Sequence, residues 1–244
     1  MMIEAPRTGS GAIGFARAYC AAIALSMGVA IGSNTVVLAE TTATNPETVR
    51  LLAGLGKIES DLQLGMLFMQ DGLTNPEGSH FTHPRAETVP EIKDGLAAAG
   101  VEDFEPLLVT LESGGDAAAV TANYQAGITA LIHARSALKS TDRDFLLSIV
   151  AQVEAVAGEI NAAGPTEVNN YQDAWAMLMV ARGQVDLLMG GADPAIKAAA
   201  TEMGLALDDV ILSMPDPNVA APVELDPAPI LTLKAKMEAL AGTI

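Results

Sequence analysis

Cysteine is nearly absent from this sequence: 244 residues contain one, Cys20. The fold therefore has no disulfide framework and must be held by its core. Aromatic residues are also scarce, at 4%. The β-branched and aromatic residues that favour strands are scattered, while Ala and Leu dominate, which points to helix. Bases are few. Thirteen Lys and Arg stand against 30 Asp and Glu, a net charge of −17. Such a surface repels nucleic acid and anionic lipid headgroups. It suits cationic ligands, metal ions included, but the acids are spread without forming blocks, so solubility is the simpler cause. No Gly-x-Ser-x-Gly, phosphate loop or dinucleotide fingerprint is present, and no Ser/His/Asp set stands out. The chain is accordingly not read as an enzyme.

What is present is a chain of one-domain length, half of it apolar, enough to build a core. The one long apolar run lies near the start, from about Ala18 to Leu38, after Arg7 and Arg17. It ends Val37-Leu38-Ala39-Glu40, which suits a secretory signal cleaved after Ala39. A retained membrane anchor is the competing reading, since the run is close to the spanning minimum of about 20 residues. Cleavage would remove Cys20 and also Glu4, Arg7 and Arg17. The remaining chain would be cysteine-free and more acidic still. The expected location is the periplasm, with no stable membrane insertion after cleavage.

The rest divides into a helical domain over 40–214, a Pro-rich strap over 215–229 and a C-terminal helix over 230–244. Asn45-Pro46-Glu47 is a helix start, with Asn as cap and Pro in the first turn. Leu51, Leu55, Ile58, Leu62 and Met69 follow at helical spacing, flanked by Leu52 and Met66. Asp71-Gly72 ends that helix, and Asn75-Pro76-Glu77 opens a short one reaching Thr82. Pro84 disfavours the α conformation at His83, so a corner is expected there. Further helices are predicted from Thr88 to Ala99, Asp103 to Glu112, Asp116 to Lys139, Asp144 to Ala162, Glu167 to Met189 and Asp193 to Met214. Pro215, Pro217, Pro222, Pro227 and Pro229 describe an extended strap. Helix hairpins with short links make the class all-α, a helical bundle of antiparallel hairpins. A short TPR-like array is the alternative, although no 34-residue repeat is found.

Chemistry concentrates in Ser79-His80-Phe81-Thr82-His83-Pro84-Arg85-Ala86-Glu87, which holds two of the three histidines. Imidazole and carboxylate ligands suit Zn, Cu(II), Fe or Ni, so His80, His83 and Glu87 are the candidate metal ligands. Glu59, Asp61 or Asp71 could add a ligand from the preceding helix. The plainer reading makes His83 a turn residue, His80 a packed ring and Glu87 a solvated acid. Met66 and Met69 have the softness for Cu(I) but read first as core fillers. His133 lies off the apolar stripe of its helix. Tyr171, Trp175 and Arg182 are candidates for a ligand pocket, with Arg182 as an anion clamp. The plainer reading pairs Arg182 with Asp186 one turn on.

His80, His83, Pro84 and Glu87, followed later by Tyr171, Gln172 and Asp173, carry a resemblance. The chain resembles uncharacterised exported all-α proteins of proteobacteria with a helical hairpin, a His-x-x-His-Pro segment and a Tyr-Gln-Asp-type helix. A more distant likeness is to the imelysin-like helical proteins of periplasmic iron uptake. Those are marked by Gly-x-His-x-x-Glu, whereas here the acid follows His83 by four residues. The resemblance implies a periplasmic, metal-linked helical protein and transfers no catalytic residue. The expected function is a periplasmic binding protein for a transition-metal ion (Zn, Cu or Fe) that works with an envelope or membrane protein partner. The alternative is a non-catalytic structural or interaction module of the cell envelope.

Overall fold

The longest helix, α1 (Pro46–Gln70), is also the most enclosed. The computed structural model describes residues 44–70 and 80–244. The expected signal segment, the leader up to Ala43, Asp71-Gly72 and the Asn75-Pro76-Glu77 start lie outside the described residues. Helix α1 begins as its sequence predicts. Asn45 Oδ1 accepts hydrogen bonds from the backbone N–H groups of Glu47 and Thr48, at 3.1 and 3.3 Å.

A 3₁₀ turn (His80–Thr82) and a π turn (Pro84–Thr88) then lead into α2 (Val89–Ala98). The corner expected at His83 does not form. His83 takes helical angles, φ −61° and ψ −44°, in spite of the following proline. Pro84 stands first in a new helical segment, where its missing N–H leaves no bond unmade. The turn widens, and Val89 N–H donates five residues back to Pro84 O. Gly100, at φ +77°, closes α2.

Five more helices follow: α3 (Glu105–Glu112), α4 (Ala117–Ala137), α5 (Asp142–Glu159), α6 (Val168–Met189) and α7 (Pro194–Ser213). The last is α8 (Ala228–Ala241). Side-chain caps mark three of their starts. Asp116 accepts from Ala119 N–H, Asp193 from Ala195 and Ile196, and Thr141 forms a capping box with Asp144. Among the described residues there are eight α-helices and no strand, so the protein is an all-α helical bundle. No described helix is long and apolar enough to cross a membrane.

Two apolar clusters form the core. One joins α5 to α8, through residues such as Leu146, Ile149, Tyr171, Leu178, Leu207 and Met237. The other joins α1 to α4 and the 3₁₀ turn, through Leu55, Ile58, Leu62, Phe81, Leu108 and Leu131. Met66 belongs to this second cluster and Met69 packs on its edge, as fillers. Helix α1 also packs against α5 and α6. This sharing of α1 between both halves replaces the stacking of like pairs that a TPR-like array would show.

Buried polar residues cluster on α1: Glu59, Ser60, Asp61 and Gln63 are each at most 5% exposed. Glu59 pairs with Arg135 of α4 at 2.6 Å. It also accepts from Gln63 at 3.1 Å. Gln152 of α5 donates to Gln184 of α6 at 2.7 Å. Gly56 makes room for Gln152, since a Cβ there would lie 2.3 Å from its Oε1.

The Pro-rich strap is tied down at three points. Tyr171 Oη donates to Pro215 O, and Gln172 Nε2 donates to Pro217 O at 3.0 Å. Val223 and Thr166 exchange backbone hydrogen bonds at 2.8 and 2.9 Å. Helix α8 then lies against α5 and α7, burying Ile230, Leu233, Met237 and Ala241.

Candidate metal centre

Three separate pieces of chain bring four metal-ligating side chains together. Helix α1 supplies Asp61, one turn after Lys57. The 3₁₀ turn and its exit supply His80 and His83. Asp173 comes from the start of α6. One ligand atom from each lies within 4.8 Å of all the others. Packing seats the histidine segment: the Phe81 ring lies where a Cβ on Gly65 would be, 2.9 Å from that position, and Phe68 stacks on His80 at 5.6 Å between centroids. The two imidazoles meet edge to face at 4.7 Å.

The carboxylate of Asp173 is the hub. Its Oδ1 lies 3.0 Å from His80 Nδ1 and 3.6 Å from His83 Nδ1. The second distance exceeds a hydrogen bond and acts through charge. His83 Nδ1 is 3.9 Å from Asp61 Oδ1. Among the described residues, neither His83 Nδ1 nor Asp61 Oδ2 has a hydrogen-bond partner, although both atoms are buried. His80 Nε2 faces Gln172 Oε1 at 3.1 Å.

Electrostatics make the cluster uneasy without a cation. Burial, with Asp173 beside it, pushes the Asp61 carboxyl well above the usual carboxylate range. Burial would raise Asp173 too. Its contact with His80 and the nearness of both imidazoles outweigh that and hold it down to about 2. Contact with Asp173 raises His83 against the opposing effect of burial. Glu159, at the end of α5, is raised by burial and by Asp173. Burial would lower Lys57, but Glu87, Asp61 and Glu159 hold it up. Asp61 and His80 are buried, whereas the side chains of His83 and Asp173 keep 21% and 15% exposure, so the cluster opens on one side.

Of the sequence candidates, His80 and His83 converge and Glu87 does not join them. The Glu87 side chain is half exposed and turns to Lys57 Nζ at 3.4 Å. Asp61, named among the acids of the preceding helix, takes part. Glu59 is already paired with Arg135. Asp173 was noted only within Tyr171-Gln172-Asp173. It lies 93 residues beyond His80, a separation that carries no local signal. The expected corner is replaced by a 3₁₀-to-π passage, and a π turn is frequent where helices carry functional groups.

Tyr171, Trp175 and Arg182 serve the fold of α6. Tyr171 is fully buried and its hydroxyl holds the strap. Trp175 packs on the apolar cluster of α5 to α8. Arg182 reaches Asp208 of α7 at 2.7 Å and also pairs with Asp186, so its guanidinium is taken up by two carboxylates. His133 is exposed on α4.

Chemically the cluster offers two imidazole nitrogens and two carboxylates. Tetrahedral ligands at 2.0–2.1 Å from a metal stand about 3.4 Å apart. Three of the pair distances, 3.0, 3.6 and 3.9 Å, bracket that separation, and no pair in the group is more than 4.8 Å apart. No protein-family model, curated protein or solved structure matches this chain.

Proposed function

We propose that this protein binds a divalent transition-metal ion through Asp61, His80, His83 and Asp173. One observation carries the reading: two buried polar atoms, His83 Nδ1 and Asp61 Oδ2, have no hydrogen-bond partner among the described residues, in a group whose ligand atoms lie within 4.8 Å of one another. Unpaired polar atoms in a protein interior are costly, and a cation among them would remove that cost. The nitrogen and oxygen donors favour Zn(II), Fe(II) or Cu(II) over Cu(I), which prefers sulfur. Partial exposure of His83 and Asp173 suits an ion that arrives and leaves.

The apolar run ending Val37-Leu38-Ala39 supports export, and the likeness to exported His-x-x-His-Pro proteins points the same way. The function that follows is a periplasmic helical protein that binds a metal ion and passes it to, or senses it with, an envelope partner. Isothermal titration of the purified metal-free chain with Zn²⁺, Fe²⁺ and Cu²⁺ tests the first part. One ion per chain is expected, with binding lost in the His80→Ala/His83→Ala variant. Equal heats from the wild type and that variant would sink the reading.

A further inference from the structure

Gln172 touches the candidate centre on one side and the strap on the other. Its Nε2 donates to Pro217 O at 3.0 Å, and its Oε1 lies 3.1 Å from His80 Nε2. A backbone carbonyl only accepts, so the amide must turn its NH₂ group towards Pro217. Its oxygen then faces His80, and the Nε2 of that ring must be the donor. A neutral imidazole has one ring proton. With it on Nε2, the lone pair sits on Nδ1, the nitrogen that faces Asp173.

We propose that Gln172 is a positioning residue that, held by the docked strap, fixes the tautomer of His80 so that Nδ1 is presented to the metal. The proposal rests on the metal-binding reading for its consequence but not for its geometry. In the metal-free neutral state two acceptors, Nδ1 and Asp173 Oδ1, would face each other at 3.0 Å. A proton on Nδ1 relieves this, and so does a metal ion. When a metal binds the protonated ring, the Nδ1 proton leaves to solvent and its electron pair goes to the ion. Nε2 keeps its proton and its bond to Gln172. Without an acceptor at position 172, a neutral His80 gains by moving its proton to Nδ1 and donating to Asp173. The metal must then reverse that choice before it can bind.

Two variants separate positioning from simple structure. Gln172→Leu removes the acceptor. Gln172→Glu keeps an acceptor for Nε2 but loses the donor to Pro217. The full chain, ¹⁵N-labelled and metal-free in mildly alkaline buffer, is examined by long-range imidazole correlation spectroscopy. The wild type and Gln172→Glu should show His80 protonated on Nε2, while Gln172→Leu should shift to Nδ1. Zn²⁺ titration should find Gln172→Leu about 10–100-fold weaker, and Gln172→Glu no weaker than the wild type. A wild-type His80 protonated on Nδ1, or a Gln172→Leu spectrum unchanged from it, would overturn the proposal. So would a Gln172→Glu variant that behaves like Gln172→Leu. If Zn²⁺ bound neither the variants nor the wild type, the metal reading alone would fall. The tautomer measurement would still decide the role of Gln172.

Discussion

Asp61 is the residue on which stability and binding pull in opposite directions. Its folded pKa lies above the unfolded value of about 3.9, so metal-free stability falls as pH rises from there to the folded value. His83 acts with the same sign. Its contribution is complete below about 6.5 and lost as pH rises through its raised folded value. Asp173 acts oppositely: its contribution is present above about 3.9 and lost as pH falls towards 2. Asp61→Asn should therefore raise metal-free stability at neutral pH by about 1–3 kcal/mol, the usual penalty of a buried unmet polar group. It should flatten the decline with pH and abolish Zn²⁺ binding. Urea unfolding across pH with and without Zn²⁺ reads all three, and a destabilised Asp61→Asn would contradict the account. Glu59→Gln should behave differently. It strands Arg135, costing about 3 kcal/mol, and leaves Zn²⁺ stoichiometry unchanged. Of these residues, His80 and His83 were legible because they are rare and close together in sequence. Asp173 was not, because only tertiary packing brings it to His80.

Elements were more legible than their junctions. Asn45, Asp116 and Asp193 announced helix starts, and each caps its helix. The passage through Pro84 was read as a corner because proline usually drives the preceding residue out of the α region. Two irregular turns in succession absorb it instead. The strap was legible from its prolines, but its docking was not, since its ties run from side chains or backbone groups more than 40 residues away. Val223→Pro removes the N–H donated to Thr166 O. It should speed proteolytic cleavage within 215–227 while leaving helix content unchanged. Equal cleavage rates would show that the side-chain ties alone hold the strap. Gly56→Ala should cost about 1–3 kcal/mol through crowding against Gln152, read as a lower urea midpoint. An unchanged midpoint would mean that Gln152 moves aside freely.

At the scale of the molecule, α1 carries one apolar cluster and packs against α5 and α6 of the other, so the two should not melt apart. Heating should give one transition by circular dichroism and by Trp175 fluorescence. Saturating metal should move it upward, since a ligand at 100 times its Kd adds about 2.7 kcal/mol. Two separated transitions would contradict the shared helix. The same sharing sets an order of events during synthesis. Of the described helices α1 leaves the ribosome first, yet groups that enclose it come much later. Asn45 waits for Asp144, 99 residues on, and Glu59 waits for Gln184, 125 residues on. Closing such long loops is slow compared with forming a local hairpin. A nascent chain that ends in α4 would expose the side of α1 that packs on α5 and α6, with Gly56 and Asp61 uncovered. Until α6 has emerged, that side is a target for chaperones and a risk for aggregation.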